Sequence, residues 1–238
     1  MKPRILLVED DPVSRAFLLA ATERLPAEVD AAGSVAGAIG FATRHAYALW
    51  LVDARLPDGS GVQLLQRLRA QGLSTPAIAH TASHERDEHD ALLAAGFAST
   101  LAKPLPADAW TDAIRRALAG TVPAPALGDD DDDTGPQAIA TWDDTQALAA
   151  LGGSAANVAA LRELFIAELP GTRDAVLAAA DAGNADAVRE VLHRLRAGCG
   201  FVGAARLQAC AQRLREAPLS TRALQAFRDA AQDTLSPS

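Results

Sequence analysis

Arg4-Ile-Leu-Leu-Val-Glu-Asp-Asp-Pro12 is the stretch that decides how the first half of this chain folds. The apolar run Ile5 to Val8 reads as a short β-strand, and it ends abruptly on three carboxylates, Glu9, Asp10 and Asp11. Asp11-Pro12 then starts a helix, with Asp11 as N-cap and proline at the first helical position, where its missing N–H is no loss. Asp11 is thereby a structural residue. A strand that passes through a polar turn straight into a helix is the opening of a βα unit.

Outward from this stretch the same alternation repeats as far as Gly120. Further β-like runs fall at Glu28 to Ala31, Ala48 to Val52, Ala77 to His80 and Ser99 to Leu101, separated by amphipathic segments that begin near Pro12, Ser34, Gly61, His84 and Pro106. The pattern predicts an α/β fold, a doubly wound five-stranded parallel sheet. In such sheets ligands bind beyond the carboxyl ends of the strands.

Polar residues fall at those ends: Glu9 and Asp10 after the first strand, Asp53 after the third, Thr81 after the fourth and Lys103 after the fifth. Clustered carboxylates suit a hard divalent cation such as Mg2+, with Asp10 and Asp53 as direct ligands. The cation would also relieve the repulsion between them. Phosphoryl transfer to a carboxylate needs positive charge and hydrogen-bond donors on the phosphoryl oxygens, which Mg2+, Lys103 and the Thr81 hydroxyl supply. Asp53 is the expected acceptor.

Ile5-Leu-Leu-Val-Glu-Asp-Asp11, Leu51-Val-Asp-Ala-Arg-Leu-Pro-Asp-Gly59, Ala79-His-Thr-Ala82 and Leu101-Ala-Lys-Pro104 together resemble a two-component response-regulator receiver domain, flavodoxin-like in fold. The resemblance covers the whole first half. It implies Asp53 as phosphoacceptor, Asp10 as a metal ligand, Glu9 as a water-mediated one, the Arg55 backbone carbonyl as a further ligand, and Thr81 and Lys103 as phosphoryl-binding groups. One departure is Thr100, which stands where the family usually has an aromatic switch residue. His80 reads as a packed, satisfied strand-end side chain without chemistry, and His45, His84 and His89 as solvated surface positions.

After Gly120 the composition shifts to Thr-Val-Pro-Ala-Pro-Ala-Leu-Gly and then to five aspartates, Asp129 to Asp133. Adjacent like charges and prolines cannot build a core, so residues 121–139 read as a flexible acidic tether between a domain at 1–120 and another at 140–238. About 20 flexible residues span roughly 25 Å root-mean-square, which gives an effective concentration near the millimolar range.

From Trp142 onward the periodicity is helical, with N-cap candidates at Ser154, Asn184 and Ser220 and a kink or division expected at Pro170-Gly171. An all-α bundle of about four or five helices is predicted. Val188, Leu192, Leu195, Cys199 and Val202 form its buried stripe in one stretch. His193 lies about 100° round from Leu192 and is expected on an exposed face with Arg196, Ala197 and Gly200. Small neighbours would let another active site reach the imidazole, and Arg196 can offset phosphoryl charge. His193-Arg-Leu-Arg-Ala-Gly198, followed by Gly203-Ala204, resembles the signature of histidine-containing phosphotransfer (HPt) domains, with Arg-Ala-Gly where that family more often has Lys-Gly-Ser. The resemblance implies His193 as the phosphotransfer histidine.

A formal net charge of -8 opposes non-specific attachment to nucleic acid or anionic lipid. The early apolar run is too short for an export signal, and no membrane span is visible. Cys199 and Cys210, within helical pattern, read as buried thiols, in keeping with a reducing cytoplasm. With no kinase ATP-binding region in the sequence, the expected function is phosphotransfer signalling, with a sensor histidine kinase and/or another receiver as partner. The rival is a binding module whose bundle docks a partner without His193 phosphorylation. Met1-Lys2-Pro3 directly before the first strand reads as a natural start rather than a cut from a hybrid kinase.

Overall fold

The computed structural model describes residues 2–83, 85–120, 139–151 and 153–236, and its contacts divide the chain into two compact units, Met1–Asp130 and Asp131–Ser238. The expected tether lies outside the described residues, except for Ile139 at its end.

In the first unit the chain runs β1 (Arg4–Val8), α1 (Pro12–Glu23), β2 (Glu28–Ala32), α2 (Val35–Ala42), β3 (Leu49–Asp53), β4 (Arg55–Leu56), β5 (Gly59–Ser60), α3 (Gly61–Ala70), β6 (Ala77–Thr81), α4 (Arg86–Ala94), β7 (Ser99–Ala102) and α5 (Ala107–Leu118). The five-stranded sheet has the order β2-β1-β3-β6-β7, and every pairing in it is parallel. The doubly wound expectation therefore holds. Strand order reverses beside β1 and β3, so their carboxyl ends open the crevice in which such folds bind ligands.

Local chemistry sets the helix starts. The Asp11 carboxylate accepts from the Ser14 amide at 2.7 Å and caps α1, as predicted. Ser34 caps α2, and Ser60 with Gln63 forms a reciprocal capping box on α3. The short hairpin of β4 with β5 escaped the sequence reading because two-residue strands carry no periodic signal. It delivers the chain to Gly61, where a Cβ would run into the Asp53 carbonyl oxygen. Only glycine lets α3 begin this close to the end of β3.

Residues alternate in direction along each strand. Leu6, Val8, Trp50 and Val52 pack with Val35, Leu64 and Leu68 from α2 and α3. On α5 and α1, the Trp110 indole donates to the Thr22 hydroxyl at 2.8 Å and joins the two helices.

The second unit consists of α6 (Asp144–Ala150), α7 (Ala155–Asp181), α8 (Ala185–Val202), α9 (Ala205–Glu216) and α10 (Thr221–Leu235), an all-α bundle as predicted. Ser154, Asn184 and Ser220 each accept from the amide three residues on and cap α7, α8 and α10. The expected division at Pro170 does not occur: α7 runs unbroken for 27 residues. Proline removes one hydrogen bond, a cost of about 3 kcal/mol. Burial of Val158, Leu161, Phe165, Leu169 and Val176, on both sides of the proline, outweighs that loss. Gly203 ends α8 in a left-handed conformation (φ +71°), and a Cβ there would strike the Asp143 carbonyl just before α6. Among the described residues no helix is long and apolar enough to cross a membrane.

Candidate functional site

Register explains which polar groups meet. Val8 pairs with Val52, so Glu9 and Asp53, one step further along each strand, project from the same face. Asp53 pairs with His80, and His80 with Leu101, so Lys103, two residues on from Leu101, returns to that face as well. Glu9, Asp53, His80 and Lys103 thus converge, all buried.

Lys103 Nζ donates to Glu9 Oε2 at 2.8 Å and to Asp53 Oδ2 at 2.5 Å. The Arg55 amide donates to Asp53 Oδ1 at 2.9 Å, and the Asp11 amide to Glu9 Oε1 at 3.3 Å. Burial by itself would raise the Asp53 carboxyl, but the Lys103 ammonium and the Arg55 N–H outweigh it and hold Asp53 below the ordinary carboxylate range. Glu9 moves the other way. Its burial and the nearby Asp53 charge outweigh Lys103, and its pKa stands well above the usual value. Lys103, between two carboxylates, is raised despite its own burial. The result is an ionised Asp53 clamped to a charged lysine.

The carboxylates are placed differently from expectation in one respect. Among the described residues, the ligand atoms that lie within 4.8 Å of one another belong to Glu9, Asp53 and His80. Asp10, expected with Asp53 as a direct ligand, is half-buried and outside this set, while its backbone carbonyl accepts from Arg15 at 3.1 Å. Neighbouring residues of an extended chain face opposite ways, and the parity that carries Asp53 selects Glu9. Oxygen donors of this kind, Glu9 and Asp53 with Asp10 next in the chain, suit a hard cation.

His80 was missed. It is fully buried, yet neither ring nitrogen makes a well-aligned hydrogen bond, and Nδ1 lies 3.5 Å from Glu9 Oε2 and 3.9 Å from Asp53 Oδ2. Its edge packs on Trp110, with ring centroids 5.4 Å apart. The expectation of a satisfied side chain is corrected, since strand parity turns the ring toward the two carboxylates and Trp110. Burial and the Lys103 charge lower its pKa from 6.5 to about 3, so the ring is neutral near pH 7.

The Thr81 hydroxyl makes its hydrogen bonds with groups other than Asp53 in this structure. It donates to Glu88 Oε1 at 3.0 Å and accepts from the Ser83 amide at 3.1 Å. His89, expected on the surface, is buried, with Nδ1 2.7 Å from the Thr100 hydroxyl and Nε2 3.0 Å from the Ser83 carbonyl. Polar partners on β7 and in the β6–α4 loop make its burial affordable, and helix periodicity alone could not reveal them. His45 is exposed as expected, and His84 lies outside the described residues.

In the helical unit, His193 retains only 6% exposure, and Ala197 and Gly200 are buried while Arg196 is half-buried. The expected open face is therefore corrected. Helix α8 packs against α6, α7 and α9. Cys199 and Cys210 are both buried, as read.

A family model for the response regulator receiver domain matches residues 5–115, and one for the Hpt domain matches residues 160–236. The chain joins a receiver domain to an Hpt domain. This is the domain composition of a two-component phosphorelay protein. The Sensor protein GacS of Pseudomonas syringae pv. syringae is 27% identical over 220 residues, covering 89% of this chain and 24% of that protein. Sensor histidine kinase RcsC of Salmonella typhi is 31% identical over 105 residues, covering 44% of this chain and 11% of that one. The chain thus spans about a quarter of the length of the GacS relatives. Among solved structures, the non-phosphorylated HemR receiver domain from Leptospira biflexa is 29% identical with a TM-score of 0.47, covering 52% of this chain and 99% of that one.

The buried imidazole of the receiver domain makes its stability pH-dependent. The folded-state pKa of His80 lies below the unfolded value, so the contribution of the neutral ring is complete above about pH 6.5 and is lost as pH falls toward 3. Between pH 7 and pH 5 this amounts to about 2 kcal/mol. His80→Leu is expected to flatten the loss by that amount, measured by urea unfolding at both pH values; equal slopes for variant and wild type would refute it.

Proposed function

We propose that Asp53 accepts a phosphoryl group and that His193 exchanges phosphoryl with a receiver aspartate, so that the chain is an intermediate in a phosphorelay. The observation that carries this reading is the Lys103 ammonium, 2.5 Å from an ionised Asp53 at the carboxyl edge of the parallel sheet. In transfer from a phosphohistidine, an Asp53 oxygen forms the new P–O bond, the P–N bond breaks, and its electron pair returns to the donor imidazole. Lys103 stays with the charge that moves onto the phosphoryl oxygens. The Thr81 hydroxyl turns to one of those oxygens. Glu9, Asp10, Asp53 and the Arg55 carbonyl would hold Mg2+, which supplies further charge compensation there.

A sensor histidine kinase and/or another receiver domain is the partner, in the cytoplasm. Arg196, one turn from His193, offsets charge on a phosphorylated imidazole. Residues 121–139 serve as the tether that lets Asp53 and His193 of one chain exchange phosphate. Label placed on Asp53 from a small acyl phosphate should then appear on His193 in dilute protein, as an acid-labile, base-stable phosphate that His193→Gln lacks. If the dilute wild type never labels His193, the internal exchange is wrong and His193 serves a receiver on another chain.

A further inference from the structure

Glu88 occupies a position that none of the phosphoryl-transfer roles explains. It lies in the first turn of α4, where one carboxylate oxygen accepts from the Thr81 hydroxyl at 3.0 Å and the other lies 3.5 Å from an Arg55 guanidinium nitrogen. Thr81 ends β6, and Arg55 follows Asp53 by two residues and donates its own amide to the Asp53 carboxylate. One side chain therefore holds both groups that flank the acceptor from two different loops.

A hydroxyl has a single proton to donate. The Thr81 O–H donates to Glu88, and its oxygen already accepts from the Ser83 amide. It cannot serve Glu88 and a phosphoryl oxygen together. The Glu88 carboxylate also adds negative charge beside the place where more must arrive, and its ion pair draws the Arg55 guanidinium to itself. His89, the next residue, is anchored to Thr100 and to the Ser83 carbonyl, so Glu88 can turn away without unseating α4.

We propose that Glu88 is a positioning residue that competes with the phosphoryl group for Thr81 and Arg55, and so sets how readily Asp53 takes and keeps phosphate. The proposal rests on Asp53 being the acceptor. In the unphosphorylated receiver domain Glu88 accepts the Thr81 hydrogen bond, and phosphorylation must break that bond. Its removal favours the phosphorylated state.

The test uses the full chain with Mg2+ and beryllofluoride, which imitates a phosphoryl group on a carboxylate. Glu88→Ala is expected to bind beryllofluoride about tenfold more tightly than wild type, the scale of one lost hydrogen bond to a charged group. Glu88→Gln, which still accepts from Thr81 but carries no charge, falls between them. Mg2+ affinity without fluoride and the thermal midpoint stay within about twofold and a few degrees of wild type, which a structural role would not leave unmoved. Equal or weaker beryllofluoride binding by both variants overturns the role of Glu88 alone. No binding by wild type or either variant overturns the acceptor assignment and the role of Glu88 with it.

Discussion

Asp53→Asn is expected to abolish labelling of the receiver domain by acetyl phosphate and Mg2+, under conditions that label the wild type to completion. The amide keeps the size of the carboxylate but has no anionic oxygen to attack phosphorus. Lys103 keeps Glu9 at 2.8 Å, so its charge is still compensated in the variant. Unfolding free energy should accordingly change by no more than about 1–3 kcal/mol, the scale of one altered hydrogen bond to a charged group. Loss of label without loss of fold separates a chemical role for Asp53 from a structural one. His193 in this variant is expected still to take label from a separate phosphorylated receiver.

Lys103→Met is expected to lower stability by about 3–5 kcal/mol at pH 7, because it strips the cation from a buried ion pair and leaves Glu9 and Asp53 facing each other. The effect has a definite pH dependence. Glu9 already has a raised pKa, so its carboxyl takes up a proton as pH falls and the deficit narrows toward pH 5. Added Mg2+ should stabilise the variant more than the wild type, since a cation bound only by the folded state replaces the missing charge. Urea unfolding at both pH values, with and without Mg2+, checks all three statements. A variant as stable as wild type at pH 7 would contradict the geometry of the clamp.

Much of this was legible in the residues because buried parallel strands announce themselves as apolar runs. The runs ended early at their functional ends, however. Asp53, Thr81 and Ala102 belong to the strands they terminate, held there by ladder hydrogen bonds that a hydrophobic pattern does not register. The convergence of Glu9, Asp53 and Lys103 follows from strand ends alone, but the choice between Glu9 and Asp10 needs the register. Counting parity from Asp53 would have found His80 too. The burial of His89 and His193 was beyond such counting, because it depends on elements packed against their helices from elsewhere in the chain. Glu88 gives no sign in sequence, standing among Glu85, Asp87 and Asp90 as one more acidic residue at a helix start.

The most direct test of the central claim is chemical. An acyl phosphate is reduced by borohydride to the corresponding alcohol, whereas a free carboxylate and a phosphohistidine are not. Wild-type protein phosphorylated with acetyl phosphate, reduced and digested should yield homoserine in place of the aspartate at position 53, and at no other position. A phosphorylated sample that gives the alcohol at a different aspartate, or none at all, would contradict the assignment of Asp53 as the acceptor.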